Sequence, residues 1–161
     1  MRKIPLTRGM FALVDDADYA DLSRRRWFAQ KGPRTFYAVC NTTVDGKRKT
    51  ARMHRILVGD AATGLQVDHR DGDGLNNQRA NLRVCTSADN QHNQRTRKDN
   101  VTGFKGVSAP IAMRNGANKY RAQIKFNGKQ IHLGRFPTAE QAHAVYCEAA
   151  KRLHGEFARF A

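Results

Sequence analysis

Apolar positions along this chain recur with two periods, and each change of period marks a new element. The run Phe11-Ala12-Leu13-Val14 predicts a short buried strand, and Asp15, Asp16 and Asp18 then supply carboxylates suited to a helix N-terminus ahead of Tyr19 and Leu22. That helix is expected to end near Arg24-Arg25-Arg26, with Trp27 and Phe28 as core anchors. Thr35 to Thr42 has strand composition, and Asp45-Gly46 predicts a hairpin turn into Lys47 to Arg52. Met53 to Gly59 is short and apolar and reads as either helical or extended. Gln66 to His69 and Asn81 to Thr86 predict two further strands, the second with Leu82 and Val84 on its packed face. Ser87 is the expected N-cap of a helix reaching Asn93.

Gln94 to Asn100 is polar and basic without apolar periodicity, so it reads as a linker. Beyond it, Tyr120, Ala122, Ile124 and Phe126 alternate with Arg121, Gln123 and Lys125, and Asn127-Gly128 predicts a two-residue turn. Such a turn pairs Phe126 with Lys129, Ile124 with Ile131 and Ala122 with Leu133. Thr138 to Gln141 reads as a capping box, and Ala142, Val145, Tyr146, Ala149, Ala150 and Leu153 follow at helical spacing up to Gly155. The whole predicts an α+β protein. It has a β-rich segment over residues 1–53, a strand-strand-helix module over 54–94, a linker over 95–101, and over 102–161 a three-stranded antiparallel sheet packed on one helix.

Charge adds a partner to this outline. The 161 residues hold 29 Lys plus Arg against 14 Asp plus Glu, a net charge of +15 that favours a polyanion. Residues 1–53 carry +7 and residues 95–161 carry +9, while residues 54–94 between them carry −1. Basic flanks suit phosphate contacts, and a near-neutral centre suits a hard cation held on oxygen. Cys40, Cys85 and Cys147 lack both Cys-x-x-Cys spacing and a disulfide framework, so they read as reduced thiols with no zinc expected. No signal peptide is visible, and no run approaches the roughly 18 apolar residues that a membrane helix needs. The expected location is the cytoplasm.

The chemistry concentrates in Val67 to Asn93. Asp68 and His69 are adjacent, Asn81 follows twelve residues after His69, and Asn90 nine after Asn81. In a regular strand Asp68 and His69 point to opposite sides, and the turn Asp71-Gly72-Asp73-Gly74 is what bends the chain to bring them near one site. That turn also approaches a calcium loop, but Leu75 and Leu82 stand where ligands belong. His92 lies about 200° around the helix from Asn90, so the two cannot serve one metal together.

This set resembles the His-Asn-His (HNH) endonucleases, in the His-Asn-Asn form found among phage and intron-encoded homing endonucleases with a ββα-metal fold. The resemblance implies a metal-dependent endonuclease acting on duplex DNA, nicking as a monomer or cutting both strands as a homodimer. It implies His69 as general base, Asn81 as the residue orienting it, and Asp68 and Asn90 as ligands of one Mg²⁺ or Mn²⁺. Arg83 is the candidate phosphate clamp, and His54 is expected to be structural. Leu6, Thr7, Gly9, Ala12, Val14, Asp15, Asp16 and Asp18 resemble a pattern that precedes the nuclease centre in phage HNH proteins.

Gly106-Val107, Tyr120-Arg121-Ala122, Gly128-Lys129, Leu133 to Phe136 and Thr138 to Ala149 resemble the apetala-type (ethylene-response-factor) DNA-binding domain. That resemblance implies a sheet placed against DNA, with Arg121, Gln123, Lys125, Gln130, His132 and Arg135 as its contacts. Lys105, and Arg95, Arg97 and Lys98 of the linker, complete the expected DNA-binding set. A DNA-binding regulator with an inactive central module is the alternative from another class.

Overall fold

The computed structural model describes residues 1–93, 96, 99–112 and 118–160. The chain is α+β and divides into two units, Met1–Asn90 and Gln91–Ala161.

In the first unit, β1 (Arg2–Pro5) and β2 (Phe11–Val14) form an antiparallel hairpin, followed by α1 (Asp16–Ser23). Asp15 is the N-cap of α1, but its carboxylate reaches outward and accepts from the Arg79 backbone N–H at 2.8 Å and from Gln78 Nε2 at 3.3 Å. Strands β3 (Phe28–Lys31), β4 (Phe36–Val44) and β5 (Lys47–Arg52) make one antiparallel sheet in that order. The expected turn at Asp45-Gly46 joins the last two, both residues holding left-handed φ of 51° and 71°.

The apolar run after β5 is helical, α2 (Met53–Val58). Then come β6 (Gln66–His69), paired antiparallel with β7 (Leu82–Cys85), and α3 (Ser87–His92). A single apolar cluster of Ile4, Val14, Leu22, Trp27, Cys40 and Met53, with Leu75 against it, binds the N-terminal strands to the strand-strand-helix module.

Two local expectations are corrected. On β7 the buried side chains are Arg83 and Cys85, while Leu82 and Val84 are only half-buried. A buried arginine is tolerable because Asp68 stands opposite it in the β6–β7 register. The cap of α3 is Thr86, one residue earlier than expected. Thr86 Oγ1 accepts from Asp89 N at 3.2 Å, and Asp89 Oδ2 accepts from Thr86 N at 3.2 Å.

In the second unit, β8 (Val107–Ala112), β9 (Asn118–Phe126) and β10 (Lys129–Phe136) form an antiparallel sheet with β9 central, and α4 (Ala139–His154) packs on it. Thr138 caps α4 by accepting from Gln141 N at 3.2 Å. Ala142, Tyr146, Ala149 and Ala150 are the buried residues that meet the sheet at Ala122 and Ile124. Phe126 pairs with Lys129 and Ile124 with Ile131 as expected, but Ala122 lies opposite Gly134, not Leu133. A bulge between His132 and Gly134 absorbs one residue, which changes the side on which everything after it falls. No helix among the described residues is long and apolar enough to cross a membrane.

Candidate active site

Strand alternation holds through β6 and sends Asp68 and His69 to opposite faces of the β6–β7 ribbon. On the Asp68 face, Arg83 donates from Nε at 2.8 Å and from Nη2 at 2.7 Å to the same oxygen, Oδ2. Both side chains are buried. Gln66, two residues before Asp68 on this face, accepts at Oε1 from Asn90 Nδ2 at 2.6 Å, which fastens the first turn of α3 here. Asp68 and Asn90 are thus gathered on one side, through a glutamine that motif spacing does not single out. Burial, then the carboxylates of Asp68 and Asp89, push the Cys85 thiol above its ordinary pKa.

His69 is 5% exposed and lies among aromatic rings on the other face. Its ring centroid is 5.0 Å from that of His54 on α2, with planes at 81°, and 6.0 Å from that of Tyr37 on β4. Tyr37 and His54 also meet edge to face at 5.6 Å. Burial lowers the His69 pKa below its ordinary value, against upward pulls from the Asn77 side chain and from Asp71, Asp68 and Asp73. His54 is pushed down to about 3, chiefly by burial and then by His69, Arg52 and Arg55. Both imidazoles are therefore neutral near pH 7, the state in which His69 can accept a proton.

The loop between the strands is wound by its own polar side chains. Asp71 Oδ1 accepts from Asp73 N at 2.8 Å and Asn81 Nδ2 at 3.0 Å, and its Oδ2 accepts from Asn76 Nδ2 at 2.8 Å. Burial would raise the Asp71 carboxyl, but these bonds outweigh it and hold the pKa down. Asn81 also donates to the Asn76 carbonyl at 2.8 Å and accepts from Asp71 N at 3.1 Å, so its amide serves this loop. The loop is tied to β2 through Leu13, which donates to the Leu75 carbonyl at 2.9 Å and accepts from Asn77 N at 2.8 Å.

In the second unit, the cross-strand pairs Gln130 with Lys125, His132 with Gln123, and Arg135 with Arg121 share one face. The bulge is what brings Arg135 there; strict alternation from Gln130 and His132 would turn it away. Lys125, Gln130, His132 and Arg135 are exposed, and Gln123 bonds Ser108 Oγ at 3.4 Å. The Lys105 ammonium is held down to about 8 by burial and then by Arg159. Arg95, Arg97 and Lys98 lie outside the described residues.

Asn77, Gln66 and Tyr37 are the site neighbours that sequence reasoning misses. Asn76-Asn77 has the composition of any turn, and Tyr37 reaches the site only through tertiary packing.

A two-stranded ribbon leading into a helix, with an Asp-His pair on its first strand and an asparagine in the helix, has the form of a ββα nuclease module. The HNH endonuclease family model matches residues 54–92, from His54 through α3. The chain is 31% identical to "Uncharacterized HNH endonuclease L560" of Acanthamoeba polyphaga mimivirus, over 94% of this chain and 74% of that protein. It is 33% identical to "Protein 3.8" of Escherichia phage T7, over 70% of this chain and 92% of that one. No solved structure matches the chain. The chain belongs to the HNH endonuclease family and is an enzyme of that class.

Proposed function

We propose that this endonuclease hydrolyses phosphodiester bonds of duplex DNA, with His69 as general base and one Mg²⁺ or Mn²⁺ held by Asp68 and Asn90. The observation that carries the reading is the division of labour across β6. A neutral imidazole, shielded from solvent, lies on one face, and an aspartate with a helix asparagine lies on the other.

The donor chemistry on the Asp68 face suits a hard cation. Asp68 offers carboxylate oxygen, and the Asn90 nitrogen is committed to Gln66, which leaves its amide oxygen as the atom suited to a cation. Magnesium is ordinarily held by one or two such protein groups and keeps several waters. When bound, the ion supplies Lewis-acid stabilisation of charge on the phosphate and on the departing 3′ oxygen.

The rest is done by the chain's own residues. His69 takes a proton from the attacking water, and its lowered pKa keeps it available as a base. Arg83, read from sequence as a phosphate clamp, spends its bonds on fixing the Asp68 carboxylate. Asn81 keeps the Asp71 loop wound between the two active strands.

The +15 charge and the sheet face with Arg121, Gln123, Lys125, Gln130, His132 and Arg135 hold DNA, together with Lys105 and the linker residues Arg95, Arg97 and Lys98. This organisation is that of a phage homing-type enzyme, in which an apetala-like sheet follows a nuclease module along the chain. One active site per chain means nicking by a monomer or double-strand cleavage by a homodimer.

Incubation of supercoiled plasmid with the protein, in Mg²⁺ or in EDTA, tests the proposal. Conversion to nicked or linear DNA in Mg²⁺ alone supports it. A protein that retards the plasmid yet leaves it intact in both conditions is a DNA-binding regulator instead.

A further inference from the structure

We infer that His69 is set in its working orientation and tautomer by Asn77, with His54 and Tyr37 fixing its ring plane, and not by Asn81. This deepens the proposed function and rests on its reading of His69 as the base. Asn77 is completely buried, and its Nδ2 is held by the carbonyls of Leu75 at 3.1 Å and Gly74 at 3.5 Å. Its backbone N–H is fixed to Leu13. With the nitrogen end anchored, the Oδ1 end is turned the other way. It is buried with no hydrogen-bond partner among the described residues, which leaves it as the acceptor for the His69 ring, whose pKa the Asn77 side chain raises.

An amide oxygen only accepts. The ring nitrogen facing Asn77 therefore carries the proton, and the opposite nitrogen is the basic one. Histidines that act as bases or ligands are commonly oriented in this way by a partner on the second nitrogen.

The ring plane is set separately. Tyr37, His54 and His69 come from β4, α2 and β6 and close a triangle with centroid separations of 5.6, 5.0 and 6.0 Å. Gly74 lets the loop approach this cluster, since a Cβ there would lie 2.7 Å from the Tyr37 ring and 2.5 Å from the Phe36 carbonyl. His54 stays uncharged, so it packs beside the base without competing for its proton. Asn81 has its amide bonded to Asp71 and Asn76, and it reaches His69 only through the loop.

Two measurements on the full-length chain test the assignment. Nitrogen-15 imidazole spectra of the wild type should show His69 as one tautomer, protonated on the nitrogen nearer Asn77, with cross-ring contacts to His54 and Tyr37. Two exchanging tautomers, or the opposite one, would overturn the assignment. In single-turnover cleavage, His54→Ala should lower the rate at saturating protein by at least about 10-fold with DNA affinity unchanged, and His54→Phe should restore most of it. An undiminished rate in His54→Ala, or equal losses in the two variants, would count against the ring cluster. The spectra read the resting protein. A wild type that shows the expected tautomer but does not cleave DNA would sink the nuclease reading and leave the Asn77 assignment standing.

Discussion

Arg83 donates two hydrogen bonds to one oxygen of Asp68, at 2.8 and 2.7 Å, across the β6–β7 ribbon. Both partners are buried, so each is tolerable only while the other is present. Arg83→Ala should therefore destabilise the fold by about 3–5 kcal/mol, the usual cost of stranding a buried charge. The double substitution Asp68→Leu with Arg83→Met should recover most of that loss. Urea denaturation of the three proteins in EDTA makes the comparison, and a mild cost for Arg83→Ala alone would contradict the pairing.

His54 makes stability depend on pH. Its folded pKa, about 3, lies far below the ordinary 6.5. Above pH 6.5 neither state binds the proton, and the stability is fully present. As pH falls from 6.5 toward 3 the unfolded chain takes a proton that the folded one refuses, and stability drops by up to roughly 1.4 kcal/mol per pH unit. Denaturation midpoints at pH 7.5, 6 and 5 should fall in that order, and the slope should flatten in His54→Phe. The same slope in both proteins would place the titration elsewhere.

His69 carries the corresponding statement for rate. A general base works when neutral, and burial lowers its pKa, so the acid limb of the cleavage rate should lie below pH 6.5. Single-turnover rates from pH 5 to 8 at fixed Mg²⁺ locate it. A limb above 6.5 would mean that His69 is not the group titrating.

Arg121 and Arg135 stand opposite each other on one face of the second sheet, Arg135 exposed and Arg121 half-buried. Neutralising either to Ala should weaken DNA binding and lower the slope of log affinity against log salt by about one for each phosphate no longer neutralised. Salt-titrated anisotropy of a labelled duplex measures both quantities. An unchanged slope would remove this face from the DNA-binding surface.

The elements most legible in the sequence are those whose local chemistry leaves no choice. Asp45-Gly46 and Asn127-Gly128 both take left-handed φ, and both hairpins close on the expected residues. Thr138 and Gly155 bound α4 for equally local reasons. What stays hidden depends on partners distant in sequence. Period two assigns Leu82 and Val84 to the packed side of β7, because nothing near Arg83 announces that Asp68 will neutralise it. The bulge before Gly134 leaves no hydrophobic signature, yet it decides the face of Arg135. The Asp68, His69, Asn81 and Asn90 spacing identifies the module, while the contacts of His69 with His54, Tyr37 and Asn77 come only from tertiary packing.

Everything proposed for the site turns on His69 as the base in a chain that cuts DNA. The most direct test is single-turnover cleavage of a duplex by His69→Ala and wild type in Mg²⁺, with binding of the same duplex measured in parallel. The expected result is cleavage by the wild type, a loss of at least about 100-fold in the variant, and nearly equal affinity for DNA in both. Cleavage by His69→Ala at the wild-type rate would contradict the assignment.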